Sequence, residues 1–227
     1  MLANPASRRE RSPSEETWIR ARLKVPGLKK GQMPSITSRS AVATRRSRTN
    51  IPIQTRPQGP DQEPTAKTQI TRFESGAKRS FAIADLTPAY AKYARQVSRG
   101  IALLNRDKVL VQDELQADKP LDLWWFMHTQ AAVKIEDDGR TASLQQAGAQ
   151  LRAQILSPAG ARFQVMNAEP LPTSPHPEKQ AKNDRIRKLA IHLTAISDTR
   201  LAVLLVPKLS KDEGTGSAPK LSALSEW

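Results

Sequence analysis

The 227-residue sequence contains no cysteine, which excludes disulfides, thiolate metal sites and cysteine nucleophiles and leaves the redox compartment unreadable. Histidine is scarce as well. His128, His176 and His192 are the three present, and His176 and His192 have no carboxylate or second histidine at ligand spacing along the chain, so the sequence supports no metal site and no cofactor. No apolar run approaches the roughly 20 residues that span a bilayer. The longest, Leu201 to Pro207, has the length of a strand. Met1-Leu2-Ala3-Asn4-Pro5 runs into Arg8-Arg9-Glu10-Arg11 without the apolar centre of a signal peptide, so the chain as written carries no export signal and its location stays open. Glycine-rich phosphate loops and a Gly-x-Ser-x-Gly elbow are missing, which removes the usual grounds for nucleotide binding or a serine nucleophile.

Acidic residues are in short supply, chiefly at one end. The formal net charge is +14; residues 1–50 hold twelve Lys/Arg against three Glu, or +9, and the rest of the chain carries +5. Across residues 1–47 no period of two or 3.6 persists for more than a few positions, and the stretch reads as a basic disordered segment. A short helix over Glu15 to Val25, closed by Pro26-Gly27, is its one candidate element. The cluster Arg45-Arg46-Ser47-Arg48 makes Arg45, Arg46 and Arg48 the candidates for non-specific, salt-sensitive binding of a polyanion.

Beyond Asn50 the texture becomes short alternating apolar runs, separated by turn residues every eight to twelve positions. Strands are predicted over Ile51–Thr55, Thr68–Glu74, Arg79–Asp85, Arg95–Leu104, Lys108–Leu115, Leu121–Thr129, Ala131–Glu136, Arg140–Gln145, Gln150–Leu156, Ala161–Asn167, Arg185–Thr194 and Arg200–Val206. Asn105-Arg106-Asp107, Asp137-Asp138-Gly139 and Ala147-Gly148 supply turn chemistry between them. The expected fold is therefore all-β: an antiparallel β-sandwich over residues 48–207, with a disordered N-terminal head and a flexible C-terminal tail over 208–227. Four prolines between Asn167 and Asp184 mark a surface excursion. Leu201 to Val206, apolar on both faces, suits a doubly covered central strand.

Strand parity adds a register. Val97, Ile101 and Leu103 share a face with Arg99, and Val109, Val111 and Leu115 share one with Asp113. With Asn105-Arg106-Asp107 as a three-residue loop, Arg99 falls directly opposite Asp113. Asp85, in phase with Phe81 and Ile83, is a second candidate acid for the same ion pair.

Four segments in order carry a resemblance: Ala84-Asp85-Leu86-Thr87-Pro88-Ala89-Tyr90, then Arg99, then Leu110-Val111-Gln112-Asp113-Glu114, then Trp124-Trp125-Phe126-Met127-His128-Thr129. Together they resemble the C-terminal region of the heparinase II/III-like polysaccharide lyases, over roughly Ser47 to Pro207. The resemblance implies a β-sandwich that supports an α/α toroid and lines a cleft for acidic polysaccharides, in carbon–oxygen lyases that are typically periplasmic or secreted. Nothing in Met1 to Arg46 corresponds to that toroid, so the chain is expected to be a truncated, inactive piece, with His128 and Tyr90 as the candidates for any catalytic role. The family's His-Asn-Thr motif, whose histidine helps to hold zinc in some members, has Thr49 in the histidine's place, and the implied zinc site is not supported. The rival expectation is a non-enzymatic module that binds glycans or polyanions.

Overall fold

The computed structural model describes residues 62–63, 65–172, 174, 183–208 and 217–227, together with the backbone of 53–54. Among the described residues ten strands follow one another: β1 (Ile53–Gln54), β2 (Gln69–Ser75), β3 (Arg79–Asp85), β4 (Gln96–Leu104), β5 (Lys108–Thr129), β6 (Ala132–Ile135), β7 (Thr141–Gln146), β8 (Ala149–Ser157), β9 (Phe163–Asn167) and β10 (Arg187–Lys208). One turn of helix, α1 (Thr87–Tyr90), sits between β3 and β4, and a short 3-10 turn spans Leu224–Glu226. Every pairing is antiparallel, and the fold is all-β. The basic head, with Arg45, Arg46, Arg48 and Thr49, the helix candidate over Glu15 to Val25 and His176 lie outside the described residues.

The strands form one continuous sheet in the order β2-β3-β4-β5-β10-β8-β7-β6, with β1 added to β5 and β9 added to β10. This corrects the expectation of separate strands over Lys108–Leu115 and Leu121–Thr129, and over Arg185–Thr194 and Arg200–Val206. Each pair is a single 22-residue strand, β5 and β10. Asp118-Lys119-Pro120 looks like a break because it is polar and Pro120 cannot donate to a ladder. The chain nevertheless stays extended through it, while the pairing with β10 shifts register between Leu193 and Ile196 and again between Ile196 and Asp198. Ala195 takes φ 53 at that irregularity. Such bulges let a strand bend without ending. β10 then pairs with β9 along its first half and with β8 along its second.

One main core results. Val97, Val111 and Leu115 join Leu121, Leu123, Trp125 and Met127 from the other half of β5, and Leu189, Ile191, Leu201, Val203 and Leu205 from both halves of β10. All are odd-numbered, so one face of both long strands serves this core, as alternation requires. We call it the inner face. The outer face holds a second cluster around Phe81, Ile83, Ala102, Leu110, Ala202 and Leu204. Leu201 to Leu205 is thus covered on both sides, as its continuous apolar run implies. At the sheet's edge β2 is exposed along all seven residues, including Phe73 and Ile70.

The outer cover was not foreseen. Residues 208–227 were expected as a flexible tail, but within the described part, 217–227, Leu224 and Trp227 are buried against Phe81 and its neighbours. The physical reason is apolar burial: β3, β4, β5 and β10 present an apolar outer face that the sheet alone leaves in water, and the tail's leucine and tryptophan cover it.

Candidate functional site

The β4–β5 hairpin closes through Asn105, Arg106 and Asp107, with Leu104 opposite Lys108 and positive φ at Asn105 and Arg106. That loop length fixes the register: Leu103 faces Val109, Ile101 faces Val111, Val97 faces Leu115, and Arg99 faces Asp113. The two charges meet side-on. Arg99 Nε donates to Asp113 Oδ1 at 2.5 Å and its Nη2 donates to Oδ2 at 2.9 Å, a bidentate geometry that matches the planar guanidinium to the carboxylate. Their side chains are 11% and 3% exposed. Burial pulls the Arg99 pKa down, but the charge and hydrogen bonds of Asp113, with Tyr90, outweigh it and leave the guanidinium above its ordinary value.

Asp85 does not join this pair. It lies opposite Ser98, in phase with Phe81 and Ile83, whose partners Ala102 and Gly100 belong to the outer face. Its Oδ1 instead accepts the Thr87 N–H at 2.9 Å, closing the turn into α1. Apolar phasing misleads here because both faces of this part of the sheet are buried. Tyr90 ends α1 in the main core, 3% exposed, and its hydroxyl donates to Gln62 Oε1 at 3.4 Å. His128 is far from it in the fold, near the other end of β5, on the outer face and paired in register with Lys188. The structure therefore does not bring the two catalytic candidates together.

His128 belongs to a row of even-numbered residues, Asp122, Trp124, Phe126 and His128, beside Lys188, Ala190 and His192 of β10. Trp124 stacks on His192 with ring centroids 3.9 Å apart and planes 7° apart, and on Phe126 at 5.6 Å. His192 Nε2 lies 3.4 Å from Asp122 Oδ2. Lys188 sits 4.6 Å over the Phe126 ring and donates to the Glu169 carbonyl at 2.5 Å. Leu171 and Met166 pack against part of the row, while Trp124, His128 and His192 stay half-buried. The sequence offered His192 no partner at local spacing, because its carboxylate and its tryptophan come from the neighbouring strand.

Two further polar clusters are not among the site candidates of the sequence, which marks Asp138 only as a turn residue and Gln112 and Glu114 only as part of the family-like segment. At the β6–β7 turn Asp138 accepts hydrogen bonds from Arg140 N, Thr141 N and Thr141 Oγ1. Desolvation raises its pKa, but these bonds and the Arg140 charge prevail and hold the carboxyl below its usual value. Arg140 in turn donates to the carbonyls of Ile155, Pro158 and Ala159. On the outer face Glu114 Oε1 accepts from Gln112 Nε2, Arg200 Nε and Leu224 N.

Position 49, where the sequence resemblance places a zinc-holding histidine, lies outside the described residues. Among them no three His, Cys, Asp or Glu side chains gather, and His128 stands between an aromatic ring and a lysine.

No protein-family model and no curated protein matches the chain. Solved structures do. The heparinase III product of BT4657 superposes with a TM-score of 0.50 at 11% identity, covering 65% of this chain and 22% of that one. Heparan sulfate lyase HepC from Pedobacter heparinus gives 0.47 at 13% identity, covering 62% and 22%. At these identities the likeness is one of fold, and the chain spans about a fifth of the length of the enzymes it resembles.

Proposed function

We propose that this chain is the C-terminal β-sheet region of a heparinase II/III-like polysaccharide lyase, which supports the lyase's catalytic part and lines one side of an acidic-polysaccharide cleft without catalysing elimination itself. The observation that carries this reading is the fold likeness to heparinase III over 65% of the chain. The ordered segments from Asp85 to Thr129 agree with it. Uronate elimination needs a base at the sugar's acidic carbon and an acid at the leaving oxygen, gathered around one residue of the polymer. Tyr90 in the core and His128 on the outer face do not make such a constellation. The surface suited to lining a cleft is the half-buried row of Trp124, His128 and His192, which offers ring faces and polar edges side by side. Arg99 and Asp113 serve as a strut in this reading, each neutralising the other inside the sheet.

Incubating the purified chain with heparin, heparan sulfate or alginate tests the proposal. No ultraviolet absorbance of unsaturated uronates should develop above a boiled control, and its growth would overturn the non-catalytic role.

A second reading, a polyanion-binding module without any lyase partner, is favoured by the twelve Lys/Arg among residues 1–50. Heparin affinity that falls steeply with salt and is lost on combined Arg45→Ala, Arg46→Ala and Arg48→Ala substitution would support it. Affinity that survives these changes but falls with Trp124→Ala favours the cleft-lining reading.

A further inference from the structure

The segment over residues 217–227 is bound by the sheet without becoming part of it. None of its residues pairs as a strand. Two side chains anchor it: Leu224 and Trp227, three residues apart, are 3% and 5% exposed. The floor beneath them is shaped by an absence. A Cβ on Gly100 of β4 would lie 2.4 Å from Leu224 Cδ2 and 2.7 Å from Trp227 Cζ3, closer than real contacts allow, so any side chain there would force the two anchors to shift. Phe81 meets the Trp227 ring edge-on at 5.8 Å, and Arg79 lies 4.8 Å over the Phe81 ring and 4.9 Å over that of Trp227.

Polar recognition is aimed at backbone. Gln112, fully buried, donates from Nε2 to the Ser222 carbonyl at 2.8 Å, and Glu114 Oε1 accepts the Leu224 N–H at 3.1 Å. Arg200 Nε donates to the same Glu114 oxygen at 2.8 Å and holds it in place. These two bonds grip the backbone at the entry to the 3-10 turn of Leu224–Glu226, and that turn brings Leu224 and Trp227 to the same side. Residues 209–216, Leu-Ser-Lys-Asp-Glu-Gly-Thr-Gly, join this segment to β10. The main core draws nothing from 217–227.

We propose that the outer face of β3, β4, β5 and β10 is a peptide-docking groove for a segment whose single 3-10 turn sets a leucine and a tryptophan, three residues apart, on one side, and that Ser217–Trp227 fills it as a built-in, displaceable plug. The occupant seen in the groove defines the chemistry of its competitor: a peptide with the same two anchors, held by Gln112 and Glu114 through its backbone. Tethering gives the plug a high effective concentration, on the order of millimolar for a short linker, so it outcompetes free peptide until its own anchors are lost. This inference does not depend on the lyase reading.

The probe is a synthetic peptide of residues 217–227 with a fluorophore at its N-terminus, titrated against the full chain. Leu224→Ser combined with Trp227→Ala disables the plug, and this variant should bind the peptide at least about tenfold more tightly than the unaltered chain. Adding Gly100→Ala fills the floor and should return binding to the starting level; adding Gln112→Leu instead should do the same by removing the backbone donor. Amide-exchange protection of Val111 and Val203 monitors the sheet. A plug-disabled chain that keeps this protection and binds no better than the unaltered one overturns the groove. One that loses the protection also overturns the proposal, since the segment would then be an integral layer of the fold.

Discussion

On the inner face of β4 and β5, Arg99 and Asp113 oppose each other with 11% and 3% of their side chains exposed. One residue further along β5 and on the opposite face, Glu114 meets Arg200 with 24% and 36% exposed. Both contacts join a guanidinium to a carboxylate across neighbouring strands, but their settings differ. The inner pair satisfies itself with two parallel hydrogen bonds, and its surroundings are the main core. The outer carboxylate is shared among three donors, one of them the Leu224 N–H, and water still reaches it. Buried pairs are costly to break because the surviving charge cannot be resolvated, whereas exposed pairs give up little.

The sharpest way to break this contrast is Arg99→Met, which strands Asp113 in the core. We expect it to lower unfolding stability by about 3–5 kcal/mol in urea denaturation, with most of the loss recovered when Asp113→Leu is added, because two apolar groups of similar volume replace the pair at little cost. An unchanged midpoint for Arg99→Met would mean that water reaches the site. On the outer face, Glu114→Gln keeps an acceptor and loses the charge. The expected cost is about 1–2 kcal/mol at low salt, and it should shrink in high salt as the Arg200 attraction is screened. A loss as large as that of Arg99→Met, insensitive to salt, would erase the distinction between the faces.

Much of this was legible in the sequence, and what was not has definite causes. The β4–β5 register follows from alternation plus a loop of fixed length, since a one-residue slip would set Leu115 against Gln96 or Ser98 and would part Arg99 from Asp113. Strand ends were also readable: β3 and the close of β4 fall at Asp85 and Leu104 as turn residues dictate. The long strands were not, because Asp118-Lys119-Pro120 carries every local mark of a loop while β10 continues alongside it. The tail escaped for another reason. Leu221, Leu224 and Trp227 recur every three residues, but over only seven positions, too short a run to mark an amphipathic element, and their partners Phe81, Gly100 and Gln112 are more than a hundred residues away. Cross-strand neighbours such as Asp122 and His192 are likewise invisible to local spacing.

Asp85 tests the same point with the smallest effect. Its phase with Phe81 and Ile83 suggested a second acid on Arg99, on the assumption that a strand's apolar residues mark one core. In β3 they mark the outer cluster, and Asp85 faces away from Arg99 and accepts the Thr87 N–H at the entry to α1. Removing this local acceptor, which sits one residue before the N-cap Leu86 on a half-buried turn, costs far less than stranding a buried charge. We therefore expect Asp85→Ala to lower stability by about 0.5–1 kcal/mol. Its effect should also add to that of Arg99→Met in a double-mutant cycle, because the two side chains share no partner. A loss of several kcal/mol, or a coupling energy comparable to the Arg99→Met effect itself, would put Asp85 back on the inner face and undo the assignment of the two faces at β3.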